Sequence, residues 1–362
     1  MEIAAGTVRA FYLFDVADTI ALANIAAVRG QGLARADIPL RQHSSSAYLQ
    51  FPVPPLVARL PDADIGGRTA AVRVKLFDYG VISLRFSFAV SGGRQKLVEL
   101  CDDVRTNEAI ARYAQATVAQ VTEDIEAALD EPHTALIEDY LVIDVDRFTE
   151  PLAAEDLLRD HSGDLAKLLL GESGILAKQQ VDESLRVRFS YNVDDLTIVQ
   201  WDTAFIYDRH EHSNAIQDIL EFANSQLLEL RTYDTRLDNE LDVIYSMQPG
   251  QQSRSLLGRR EAERAATLRY LIVDVLELTD RSTNALKIVG DAYYARIYRS
   301  AAARLGLADW QSQIDSKIAS IGDMYRFFID QSRTRRDEFM ELIVIILIAL
   351  ELIVGVATLV RH

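Results

Sequence analysis

Two carboxylates stand where carboxylates are costly. Glu341 and Glu351 interrupt the apolar run FMELIVIILIALELIVGVATLV, residues 339–360, which only Arg361 and His362 follow. Heptad steps from Glu341 pass through Val344, Ile348, Glu351, Gly355 and Thr358. The two acids, the glycine and the threonine therefore share one seam. Lipid favours none of these residues, whereas a neighbouring helix could pair the carboxylates and pack closely on Gly355. The chemistry expected of this seam is self-association inside a membrane.

Other reactive-looking residues give weaker patterns. Asp208-Arg209-His210-Glu211-His212 suggests a metal, but His210 and His212 are two apart at an expected helix start and do not share a face as an i, i+4 pair would. Cys101 is the only cysteine, so no disulfide can form within the chain, which fits a reducing compartment. Its neighbours Asp102 and Asp103 oppose a thiolate, so it reads as a small apolar helix residue. Ser91-Gly92-Gly93 lacks the remainder of any phosphate-loop pattern and reads as a turn. Asp144, Asp146, Asp194 and Asp195 fall at strand ends and turns, where solvated carboxylates are ordinary. No catalytic signature is present, so no enzyme activity, cofactor or metal site is expected.

The elements that must position the carboxylate seam begin with the run itself. Its 22 residues make a rod of about 33 Å, enough to cross a bilayer core. Its 15 Leu, Ile, Val and Phe residues favour insertion by about 0.3–0.6 kcal/mol each. One central carboxylate costs about 3 kcal/mol. Insertion is therefore expected. Arg326, Arg333, Arg335 and Arg336 flank its N-terminal side and place that side in the cytoplasm. MEIAAGTVRAFYLF has no cationic start before an apolar core, so neither a secretory signal nor an organelle presequence is expected. The expectation is a single-pass C-terminal anchor in the cytoplasmic (inner) membrane. A net charge of −16 over 362 residues disfavours direct nucleic-acid binding.

The first part of the chain, residues 1–205, reads as an α+β domain with a mixed or antiparallel sheet. Val8–Phe14 is a strand, and a helix is expected from Ala17 to Val28. Residues 71–90 alternate apolar and polar side chains around Asp78-Tyr79-Gly80, a hairpin. A helical pattern covers 94–129 with a break near 103–106. Strands are expected at Tyr140–Val145, Leu185–Tyr191 and Leu196–Trp201. Regular strand–helix alternation is missing, which argues against a doubly wound sheet.

Residues 206–338 read as a helical stalk, opened by Asp208 and Glu211 as a capping box. Ile216, Leu220, Leu227, Leu237 and Leu241 keep a coiled-coil spacing, as do Ile314, Ile318, Ile321, Tyr325 and Phe328 further on. Gly306 is expected as a C-terminal cap and Asp309 as an N-cap.

FDYGVISLRF (77–86), with Phe77, Tyr79 and Gly80, is similar to the hairpin of the "required for meiotic nuclear division" family. ALKIVGDAYYARIYRSAAARLGLADWQSQIDSKI (285–318), followed by RRDEFMELIVIILIALELIVGV, resembles that family's C-terminus. The resemblance implies a membrane-anchored, oligomer-forming protein without established catalysis. Eukaryotic members act at the mitochondrial inner membrane in support of mitochondrial translation.

The sequence thus points to a tail-anchored scaffold that forms homo-oligomers and presents its N-terminal domain to a protein or ribosomal partner. The competing reading is a membrane-tethered nucleotide- or metal-dependent hydrolase with its site in that domain.

Overall fold

Alternation of apolar and polar residues builds one large sheet with two unlike faces. In the computed structural model, which describes residues 1–29, 37–39, 41–42, 51–209, 213–246, 273 and 291–324, nine strands pair in the order β4-β5-β6-β7-β1-β8-β11-β10-β9. The strands that matter most are β1 (Glu2–Ile20), β5 (Leu56–Ile65), β6 (Arg68–Leu76), β7 (Val81–Gly93), β8 (Leu129–Phe148), β10 (Asp195–Val199) and β11 (Thr203–Asp208). Short strands β4 (Arg41–Gln42) and β9 (Arg188–Phe189) close the edges, and β2 (Ala27–Arg29) pairs β3 (Asp37–Pro39) separately. All main-sheet neighbours are antiparallel except β11 and β8, which run parallel. The fold is α+β with a mixed sheet.

One face is apolar. Val8, Ala10 and Phe14 of β1, Val72, Val74 and Leu76 of β6, Ile82, Leu84, Phe86 and Phe88 of β7, and Ile143 and Val145 of β8 belong to a single core. Helices α1 (Arg94–Thr106), α2 (Glu108–Asp124) and α3 (Ala154–Leu170) cover it with Leu97, Leu100, Cys101, Val104, Ile110, Val118, Leu157 and Leu165. A short α4 (Lys178–Ser184) follows α3. The expected break between the first two helices falls at Asn107, whose side chain caps α2 by accepting from Ala109 N at 3.0 Å.

The hairpin expected at 71–90 is formed by β6 and β7, with Leu76 opposite Ile82. Gly80 has φ +89°, and a Cβ there would collide with the Ala17 carbonyl. That crowding exists because β1 continues beside the turn: Val16 N donates to Gly80 O at 3.0 Å and Ile20 N to Asp78 O at 2.8 Å.

This continuation corrects one expectation. Residues 17–20 are strand and not helix; Ala17, Thr19 and Ile20 pair with Pro132, Asp130 and Leu129 of β8. Pairing and burial of Ala17 and Ile20 outweigh the local preference of alanine for helix. The partner strand is accordingly 20 residues long, well beyond 140–145. Pro132 sits at its register shift, where a missing donor is tolerated. The hairpin expected at 185–201 contracts to β9 and β10, and β11 runs across the expected boundary at 205/206 to Asp208, the residue expected to open the helical stalk.

The long helix α5 (Ser213–Ser246) covers the second sheet face. By contact the chain divides into two units, Met1–Tyr233 with Val275–Gln311, and Asp234–Asp274 with Ser312–His362. The first unit therefore extends past residue 205. From Ala215 to Leu230 every residue of α5 is buried, on all sides of the helix. It is here a core element of the sheet unit and not a solvated stalk. Helix α6 (Ala292–Arg304) belongs to the same unit; Asp291 caps it by accepting from Tyr293 N at 2.7 Å. Gly306 ends it in the left-handed region at φ +67°, as expected of a C-terminal cap. The next helix begins at residue 307, so Asp309 lies inside its first turn and is not its N-cap.

In the second unit, Leu237, Ile314 and Ile321 are buried, and Lys317 Nζ bridges Asp234 at 2.6 Å and Asp238 at 2.5 Å. Among the described residues no helix is long and apolar enough to cross a membrane. The run 339–360 lies outside the described residues, with Glu341, Glu351, Gly355 and Thr358, as do Tyr325 and Phe328, His210 and His212.

Candidate anion-binding site

The second face of the sheet carries the residues that alternate with the core. On β5, β6, β7 and β1 these include Arg59, Arg73, Lys75, Arg85 and Arg9. Register makes three of them a row: Arg59 is directly opposite Arg73, and Arg73 directly opposite Arg85. Like charges directly opposite each other across strands are destabilising. Something must offset that repulsion.

Part of the answer comes from α5. Lys75 Nζ donates to Asp218 Oδ1 at 2.9 Å and also to Glu221. Burial works against the Lys75 charge, but Glu221 and then Asp218 outweigh it and hold the ammonium above its usual range. Arg9 pairs with buried Asp144, which also accepts from Gln217 Nε2 at 2.9 Å. Burial raises the Asp144 carboxyl above the usual carboxylate range, against the pull of Arg9, and Asp146 adds to the rise.

Arg85 is left less well served. Its nearest described acceptor is the neutral amide of Gln217, at 3.4 Å, and its guanidinium stands 6.0 Å from the Phe11 ring centre. Burial lowers its basicity; Glu221 resists this, while Arg73 and Arg9 add to it. Among the described residues no carboxylate pairs with Arg73, which is exposed. Arg59 reaches Asp62 at 3.1 Å, an exposed pair of the kind that contributes little.

Two cavities flank the row. One, of about 400 Å³, is lined by Arg41, Val57, Lys75, Ser83, Asp218 and Glu221 together with the row. The other, of about 220 Å³, adds Thr7, Arg9, Ser87 and Asn214, the last in the first turn of α5. Six cationic side chains line the two cavities; with Asp218 and Glu221 in the lining, Asp144 on Arg9 and Asp62 on Arg59, a surplus of two positive charges remains on a protein of net charge −16. Ser83 is 1% exposed, and its hydroxyl has no hydrogen-bond partner among the described residues. A buried hydroxyl normally has one.

The sequence-derived residues fall around this site rather than in it. Ile216, Leu220 and Leu227 are buried on α5, and Leu241 is half-buried. Phe77 and Tyr79 stack at 5.0 Å, and Tyr79 meets Ser225 of α5 at 2.8 Å. The structure thus brings the hairpin turn and the helix together. Ile318 is half-buried in the second unit. In the sequence, Arg73, Lys75 and Arg85 read only as the polar partners of a strand alternation. The signal that could have found them is that these polar positions are cationic on both arms of one hairpin.

A second concavity lies where β10 and β11 meet α6. Tyr191, Tyr293 and Tyr294 line about 120 Å³ with Asp195, Asp208 and Asp291. Tyr293 stands 5.3 Å from Tyr191 and 5.4 Å from Tyr294, ring centre to ring centre. Asp195 is occupied by its own turn, accepting from Tyr191 N and Asn192 N at 2.7 Å each. Among the described residues no group of three His, Cys, Asp or Glu side chains is placed to hold a metal.

A mixed sheet with α1, α2 and α3 on one face and α5 beside a cationic cleft on the other makes this an α+β fold. The chain belongs to the family described as "Uncharacterized protein MJ0711, N-terminal domain", whose model matches residues 5–213. It is similar to the uncharacterized protein MJ0711 of Methanocaldococcus jannaschii, 25% identical over 229 residues that cover 62% of this chain and 67% of that protein. No solved structure matches the chain.

Proposed function

We propose that this protein is a binding module that recognises a small anion in the arginine-lined cleft and is held at a membrane by residues 339–360. The observation that carries the reading is the row Arg59–Arg73–Arg85, placed directly opposite one another, with no carboxylate paired to Arg73 among the described residues and with a neutral amide as the hydrogen-bond acceptor of Arg85. Guanidinium groups present a planar fork of donors suited to phosphate and carboxylate oxygens. An anion lodged between them converts mutual repulsion into paired contacts.

The scaffold role expected from the sequence fits as the context of this module. The terminal run supplies the anchor, and the seam Glu341, Glu351, Gly355 and Thr358 supplies self-association. Recognition of a partner then depends on the anion it carries or on the ligand-bound state of the cleft. The hydrolase alternative needs carboxylates free to activate water or hold a metal. The two in the cleft, Asp218 and Glu221, are tied to Lys75.

The test is thermal unfolding of the detergent-solubilised full chain, titrated with phosphate or sulfate at constant ionic strength. The midpoint should rise with oxyanion and not with chloride, and Arg73→Gln should shift the rise to about tenfold higher oxyanion concentration. No shift with any oxyanion would sink the reading. For the anchor, Glu351→Leu should lower the oligomer size in detergent; an unchanged size removes the role given to that seam.

A further inference from the structure

The geometry points to a ligand bearing two phosphoryl groups, one on each side of the arginine row; this rests on the anion-binding reading above. The two cavities are not separate sites. They share Arg59, Arg73 and Arg85, and differ in lying toward opposite ends of the strands. On β7 the lining residues run Ser83, Arg85, Ser87, with the arginine between two hydroxyls. Four residues of extended strand span about 13 Å. The row crosses this cleft at its waist, over two inter-strand steps of about 4.8 Å each.

A single phosphate can bridge two adjacent guanidinium groups on one side of the row. It leaves the far cavity open and the third arginine uncompensated. Two phosphoryl groups joined through oxygen use both edges of the row, because each guanidinium carries donors on more than one side. On one side the donors are Arg9, Ser87, Thr7 and Asn214 at the start of α5, where helix N-termini favour negative charge. On the other side Arg41 and the unpartnered Ser83 hydroxyl are available. There Lys75 offsets one of the two carboxylate charges of Asp218 and Glu221, which weakens their repulsion of an anion.

Val57, which pairs with Lys75 on the cleft face, adds an apolar side chain on the Ser83 side. A diphosphate ester can lay its carbon portion there, whereas inorganic diphosphate leaves it bare. Both sources share the chemistry that the row recognises.

Calorimetric titration of the full chain in detergent, at fixed ionic strength, tests this with orthophosphate, pyrophosphate and a short alkyl diphosphate. Pyrophosphate should bind at least tenfold tighter than orthophosphate, and Arg73→Gln, an exposed position, should reduce that preference to about twofold or less. Ser83→Ala should weaken pyrophosphate more than orthophosphate. Tighter binding of the alkyl diphosphate than of pyrophosphate supports the proposal with an ester as ligand; equal binding supports it with the free diphosphate. Orthophosphate binding as tightly as pyrophosphate overturns the proposal while leaving the anion site standing. Failure of all three anions to bind overturns the site itself.

Discussion

The arginine cleft and the tyrosine pocket occupy the same sheet face some strands apart, and they manage charge in opposite ways. In the cleft, like charges are aligned by strand register and only partly offset by α5. In the pocket, three aspartates sit among aromatic rings, but Asp195 and Asp291 are consumed by the backbone, one closing a turn and the other capping α6. Acidic residues with local structural work need no ligand. The arginines have no such work, because a strand offers a side chain nothing to cap. The difference lies in what surrounds each charge and not in how many charges there are.

The largest expected effect breaks the offset in the cleft. Lys75→Met leaves Asp218 and Glu221 buried without their cation, a loss of about 3–5 kcal/mol of the kind seen for broken buried pairs. Urea unfolding measures it, and adding Asp218→Asn with Glu221→Gln should restore most of the loss. On the pocket side, Tyr293→Ala removes ring contacts to Tyr191 and Tyr294 and should cost about 3 kcal/mol. It should leave anion affinity unchanged, and a fall in affinity would merge the two regions that structure separates.

A smaller effect sharpens the contrast. Arg73→Gln should lower anion affinity about tenfold, the loss of one charge-assisted hydrogen bond. It should leave the stability of the ligand-free protein within about 0.5 kcal/mol of the parent. A marked destabilisation would mean that Arg73 has a structural partner after all.

The smallest effect concerns pH. Burial raises the carboxyls of Asp144, Glu138 and Asp139; Arg9 resists at the first, Arg231 at the other two, and Asp202 adds to the rise of Asp139. Each therefore holds its proton in the folded protein at pH values where the unfolded chain has released it. Their contribution to stability is greatest below the unfolded values, near 4. It declines as pH rises through the folded ones. Asp144→Asn should flatten that decline in urea midpoints measured from pH 4.5 to 7.

Much of the fold was legible where local pattern and tertiary environment agree. The 71–90 hairpin and the cap at Gly306 each follow from a residue whose local preference matches its place, and the helix break expected near 103–106 falls next to that range, at Asn107. Strand β1 was not legible past Asp15, because only pairing with the distant β8 makes Ala17–Ile20 extended. Strand β11 was hidden for the same reason: its parallel partner is more than 50 residues away. The cleft was hidden by an assumption about faces. Alternation on β6 and β7 separates two sides of a sheet but does not say that the polar side meets water. Here that side meets α5, whose own coiled-coil spacing suggested a stalk although its first half is buried all round.

Cys101 lies on α1, against the apolar face and away from the cleft; it is 0% exposed, and burial pushes its thiol up to about 12, with Arg105 opposing and Asp102 adding. A solitary, inaccessible thiol of this kind is a chemical clock. It reacts with an alkylating reagent only when α1 lifts from the sheet, so its labelling rate counts opening events. Adding an anion to the opposite face and timing the same reaction would measure whether filling the cleft also tightens the layer behind it.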